Sequence, residues 1–248
     1  MLDAFLAGLA GASSLVLGCL IAYAYPIRPR MLALIMAFGV GVLFSAVAYD
    51  LVADSFEVSG GEGITLGLLV GGLTFYAGDL YIDRAGGGER KSMSGPQPDG
   101  GGARAIVLGT VLDGVPESMV LGLSILVGEG VSTTMLAAVL LSNLPESMAA
   151  STGLRNSGQP LMKTLRMWVL VVLVSALAAA LGYGLLDGAS PTMIAFVQSF
   201  AAGAILTMLV DTMVPEAVRH GGPVVGLITT LGFAIAFGFA SLEVLGKS

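Results

Sequence analysis

Charge is scarce in this chain. Asp, Glu, Lys and Arg together make up 11% of its 248 residues, against about 25% in ordinary soluble domains. Hydrophobic residues make up 55%, more apolar surface than a water-soluble fold of this size can hide. A soluble globular protein is excluded, and no nucleic-acid partner is expected. The net charge of −6 says little about partners, because in a membrane protein charge matters by side. Cysteine is nearly absent too: Cys19 stands alone, so no internal disulfide can form. The stretch Val16-Leu17-Gly18-Cys19 faintly resembles a lipoprotein cleavage site. No Lys or Arg precedes it and the apolar run continues to Ala24, so Cys19 reads as an ordinary residue of the first helix. There is one histidine, His220, beside Gly221, which reads as solvated in a loop, and one tryptophan, Trp168, which reads as an interfacial anchor.

What is present in quantity is long apolar runs. Broken by Pro, Gly and charge, they predict an all-α integral membrane protein with eight transmembrane helices, at 4–26, 29–54, 63–84, 103–127, 131–153, 160–186, 191–217 and 222–245. Residues 1–248 form a single transmembrane domain, interrupted by a Gly-, Pro- and Ser-rich flexible linker over 86–102. Of the 11 Lys and Arg residues, 10 fall on one side of this topology and only Lys247 on the other. The positive-inside rule then puts both termini outside the cytoplasm of a cell membrane, with the linker cytoplasmic. Gly63, Gly67 and Gly71 make a small-residue ridge on the third helix, suited to close contact within a subunit or across a homodimer.

Two repeats are visible. Pro116-Glu117-Ser118-Met119 recurs 29 residues later as Pro145-Glu146-Ser147-Met148. At an offset of 162, the second helix (Phe38, Gly41, Asp54) aligns with the seventh (Phe200, Gly203, Glu216), and Gly72 and Gly78 echo Gly232 and Gly238 at an offset of 160. The paired helices run in opposite directions, so the expected arrangement is 3 + 2 + 3 with an inverted repeat, an architecture of alternating-access carriers.

The tandem Pro-Glu motifs carry the chemistry. Glu117 and Glu146 fall near mid-depth in the fourth and fifth helices, where a lone ionised carboxylate is expensive. Each follows a proline, which frees the carbonyl four residues earlier, Leu112 and Leu141. A carboxylate beside a freed carbonyl is an oxygen-rich pocket for a cation. Asp113 shares the helix face of Glu117 at i and i+4, and Ser142 and Asn143 precede Glu146 by four and three residues. The metal-ligand candidates are therefore Asp113, Glu117, Ser142, Asn143 and Glu146. Asp50 and Asp54 on the second helix, and Asp211 and Glu216 around Pro215 on the seventh, are candidate gate or relay residues at opposite mouths. Asp79, Asp83 and Arg84 read as an ion-paired helix terminus.

With these motifs in place the chain resembles the ZIP (Zrt/Irt-like) family of metal transporters along essentially its whole length. The family's helix-4 pattern His-Asn-x-Pro-Glu-Gly is similar to Asp113-Gly114-Val115-Pro116-Glu117-Ser118. Its helix-5 pattern resembles Ser142-Asn143-Leu144-Pro145-Glu146-Ser147, and its helix 7 resembles Phe200-Ala201-Ala202-Gly203 leading to Val214-Pro215-Glu216. The resemblance implies a mononuclear or binuclear metal site between helices 4 and 5, a rocking or elevator-like motion, and Zn²⁺, Mn²⁺, Fe²⁺ or Cd²⁺ as transported substrate rather than as a prosthetic group. This sequence departs from the pattern in having Asp113 for the histidine, Gly114 for the asparagine, no carboxylate in Trp168 to Leu186, and no histidine in the linker. An all-oxygen shell suits Mn²⁺, Mg²⁺ or Ca²⁺ by hardness, while the resemblance keeps zinc in front. The alternative is a metal- or proton-binding membrane protein that has lost transport. An intramembrane hydrolase would need a His-Glu-x-x-His or an acid pair with a positioned base, and neither is in the sequence, so no enzyme is expected.

Overall fold

The computed structural model describes residues 1–61, 63–84, 102–127 and 130–246, and among them every regular element is helical. The helices are α1 (Leu2–Ala24), α2 (Pro29–Ser59), α3 (Ile64–Ile82), α4 (Gly102–Val127), α5 (Thr133–Asn156), α6 (Leu161–Leu186), α7 (Pro191–Gly221) and α8 (Val225–Gly246). The expected linker lies outside the described residues except for Gly102, which already begins α4. Local signals set the ends. Pro29 and Pro191 open α2 and α7, where a missing N–H costs nothing. Ser132 and Ser190 accept hydrogen bonds from the backbone N–H groups of Met135 and Met193 at 3.1 and 3.3 Å, capping α5 and α7. Gly60, at φ 65°, stops α2 in a left-handed turn that glycine adopts without strain.

Six helices are long and apolar enough to cross a membrane: α1, α2, α3, Ile106–Leu126 of α4, α6 and α7. The chain is thus all-helical, with six such spans among its described residues. In α8 the apolar stretch within the described residues is Val225–Ser241. Helix α5 falls short for a physical reason: it carries Ser142, Asn143, Glu146, Ser147 and Ser151, all buried. A helix enclosed by protein needs no lipid-facing apolar stripe, so its polar residues dilute the hydropathy without exposing charge to hydrocarbon.

The packing places α5 centrally. Helix α1 lies against α5 and α6, α2 against α5 and α8, α3 against α7, and α4 against α6. Two apolar clusters result, the larger built from α2, α5 and α7 around Leu43, Leu51, Met135 and Ile205. The smaller joins α1, α4, α5 and α6 around Leu15, Ile106, Leu154 and Trp168. Trp168 is therefore no interfacial anchor. It is fully buried and its Nε1 donates to Ser151 Oγ at 2.8 Å, so the buried N–H has its partner within the protein.

Glycine lets the helices meet backbone to backbone. A Cβ at Gly71 would collide with the carbonyl of Phe200, one at Gly203 with that of Leu68, one at Gly41 with that of Thr229, and one at Gly232 with that of Phe38. The ridge on α3 is thus spent inside the chain, against α7, where a Cβ at Gly67 would stand 2.7 Å from the carbonyl oxygen of Phe196. Both α2 and α7 also widen into π-helical turns, at Val47–Ala53 and Leu209–Met213. Such turns occur often at functional sites.

Candidate metal centre

Pro116 and Pro145 lie inside α4 and α5, and both helices run on through them. The i, i+4 spacing keeps Asp113 and Glu117 on one face of α4, joined there by Thr110, and all three are buried. Asp113 and Glu117 are 2% exposed and Glu146, on α5, is 3% exposed. No Lys, Arg or His occurs between Arg104 and Arg155, the stretch that holds these three acids.

The hydroxyl of Ser142 connects the two helices. It lies 3.1 Å from the carbonyl of Val139, one turn back, and 3.4 Å from Oε1 of Glu117. Asn143 reaches α1 as well: its Nδ2 donates to the carbonyl of Gly11 at 3.5 Å. Ser147 follows the same face, with Oγ 3.0 Å from the carbonyl of Leu144 and 3.5 Å from that of Ser14. The carbonyl of Leu141, expected to be freed by Pro145, lies where α2 comes close; a Cβ on Gly39 would stand 3.0 Å from it. Among the described residues no three Asp, Glu, His or Cys side chains form a ready-made metal cage. What the arrangement offers is hard oxygen: a glutamate on each of two helices, an aspartate one turn from Glu117 and the Ser142 hydroxyl beside Glu117.

The outer candidates sit in or beside the π-helical turns. Asp50 is within the first, Asp54 follows it, and both are half-buried. Next to them Ser55 Oγ reaches Gln198 Oε1 of α7 at 3.4 Å, with both side chains buried. Asp211 is exposed in the second π-helical turn, within electrostatic reach of Asp79 on α3. Glu216 is buried, with Oε2 3.5 Å from Arg219 Nη1 and Oε1 3.3 Å from His220 Nδ1. His220 is therefore not solvated in a loop. It lies on α7, its side chain 13% exposed, folded back on the carboxylate one turn earlier. Gln198 was the residue missed from sequence, although an amide inside an apolar run is the kind of intramembrane polar group that marks a site.

No family model matches the chain. An Arabidopsis thaliana protein named "Putative zinc transporter" is 23% identical over 240 residues, covering 96% of this chain and 37% of the relative. The chain spans little more than a third of that relative's length. The aligned region takes in nearly all of the chain.

Proposed function

We propose that the chain is a ZIP-like carrier of divalent metal ions, zinc first among them, with its substrate site between α4 and α5. The observation that carries this reading is the burial of Asp113, Glu117 and Glu146 in a stretch of two helices, from Ala105 to Leu154, that contains no basic residue. Carboxylates kept at that depth are functional by default. Glu117 and Glu146 would be the main ligands, with Ser142 bridging and Asp113 and Asn143 completing an oxygen shell. A carboxylate pair with a hydroxyl can exchange a divalent ion's hydration shell stepwise, and a shell of this hardness also admits Mn²⁺, Fe²⁺ or Cd²⁺.

The carrier reading extends to architecture: eight membrane helices in a 3 + 2 + 3 arrangement, with α1–α3 and α6–α8 as inverted repeats about α4 and α5. The packing supports it. The α3–α7 pair has its counterpart in α8–α2, and the α1–α5 pair in α6–α4. The π-helical turns begin at Val47 and Leu209, 162 residues apart, the same offset that separates Phe38 and Phe200. In each half one of those carbonyls abuts a glycine of the partner helix. Asp50 and Asp54, and Asp211 and Glu216, would then serve opposite mouths.

Flux and binding measured together test the proposal. In sealed proteoliposomes the intact chain should take up Zn²⁺, and Glu117→Ala should abolish uptake and lower equilibrium binding. Binding without flux in the intact chain would favour a sensor over a carrier. Full uptake by Glu117→Ala would end the site assignment.

A further inference from the structure

Beside the connection between α5 and α6 the surface opens into a groove of about 570 Å³, between the start of α4, the end of α5 and the first turns of α6. That volume falls within the roughly 300–1,000 Å³ of pockets that hold small ligands. Its walls are apolar, from Leu108 on α4, Leu154 on α5 and Met167 and Leu170 on α6. Leu108 and Leu170 are more than half exposed, so the groove opens toward the surface that the membrane would cover. One end is polar and basic, with Gln159, Lys163, Thr164 and Arg166. Lys163 and Arg166 are exposed and three residues apart near the start of α6, so they project from one side of it.

No acidic residue occurs between Glu146 and Asp187, and among the described residues neither Lys163 nor Arg166 enters an ion pair. Arg155 is engaged elsewhere: its Nη1 donates to the carbonyls of Ala22 and Tyr25 at 2.6 and 3.2 Å. The first turn of α6 adds the positive end of a 26-residue helix.

We propose that this groove binds an anionic phospholipid of the adjoining leaflet, with an acyl chain against the apolar walls and the phosphate between Lys163 and Arg166. Apolar walls that run into two cations match the two halves of such a lipid, and basic pockets between membrane helices hold anionic head groups. Residues 86–101 of the same chain are a poorer occupant, because Met93 and two prolines are their only apolar side chains. The head group would lie beside the clasp that ties α1 to α6, where Tyr23 Oη is 2.8 Å from both the carbonyl of Gln159 and Thr164 Oγ1.

The test is native mass spectrometry of the full chain in detergent, with dioleoyl phosphatidylglycerol or dioleoyl phosphatidylcholine added. The intact chain should retain phosphatidylglycerol roughly tenfold or more over phosphatidylcholine, since a basic residue near an anionic surface contributes a factor of about five. The double substitution K163Q/R166Q should bring the two lipids to parity, and L108W, which fills the apolar part, should lower retention of both. The double variant alters exposed positions and should melt like the parent in the same detergent. Equal retention of both lipids by the parent would overturn the proposal. Displacement by glycerol phosphate alone would replace it with a free-anion site. Lipid binding that appears only when residues 88–100 are deleted would make the linker the occupant, and would also overturn it.

Discussion

The carbonyl of Phe200 occupies the space a side chain at Gly71 would need. The contact seals α3 against α7, and the carbonyl of Phe38 meets Gly232 in the same way where α2 packs on α8. With backbone on one side and no Cβ on the other, neither helix can yield by changing a rotamer. Gly71→Val and Gly232→Val should each destabilise the fold by about 1–3 kcal/mol or more. Gly226→Ala, which meets nothing within 4 Å, should stay close to the parent. Thermal unfolding in detergent reads all three. A Gly232→Val protein that melts with the parent would mean that α2 and α8 do not approach so closely.

Trp168 gives an optical check, because it is the only tryptophan in the chain. Buried and bonded to Ser151 Oγ at 2.8 Å, it should emit at short wavelength and resist both aqueous iodide and brominated lipid. Trp168→Phe keeps most of the ring volume but leaves the Ser151 hydroxyl without its donor, and should cost about 0.5–1.5 kcal/mol. Strong quenching by lipid brominated near the head group would instead return the side chain to the membrane interface.

Much of this was legible in the sequence. The helical class, the helix order and the tandem Pro-Glu motifs are matters of composition and spacing, and burial of all five candidate ligands followed from their place in apolar runs. What escaped was anything decided between helices. Trp168 has the position of an anchor near a helix end, and only the meeting of α5 and α6 turns it inward to Ser151. His220 looked like loop because Gly221 and Gly222 follow it, whereas α7 continues far enough to set it one turn from Glu216. Apolar runs suggested eight spans, and α5 is less apolar than the six long ones because its polar residues are buried within the protein. The direction of Asn143, toward Gly11 of α1, depends on the helix that packs there and has no local signal.

The acids at the two ends should separate by environment. Glu216 is buried and held by His220 and Arg219, while Asp211 is exposed. Glu216→Gln should therefore slow metal uptake several-fold more than Asp211→Asn does. Asp50→Asn with Asp54→Asn should slow it from the opposite end. In each case equilibrium metal binding should stay largely intact. Initial uptake rates beside calorimetric binding give the comparison. Loss of binding in either end variant would move those acids into the central site and dissolve the gate assignment.

Asp113 tests how the proposed site would choose its metal. It lies one turn before Glu117, at 2% exposure, where the resembling family pattern has histidine. A carboxylate there makes the shell harder, whereas an imidazole would favour zinc. Asp113→His should therefore shift competitive uptake toward Zn²⁺ over Mn²⁺, while Glu117→Ala and Glu146→Ala should each abolish uptake of both, with the double variant no worse. Removing either glutamate leaves too little negative charge to replace a divalent ion's water. Metal binding must also displace protons from these acids, so affinity should fall on acidification in the parent. Competitive uptake in proteoliposomes at two pH values measures both effects. If Asp113→His transports with unchanged selectivity, Asp113 does not touch the metal, and the shell narrows to the two glutamates with Ser142 between them.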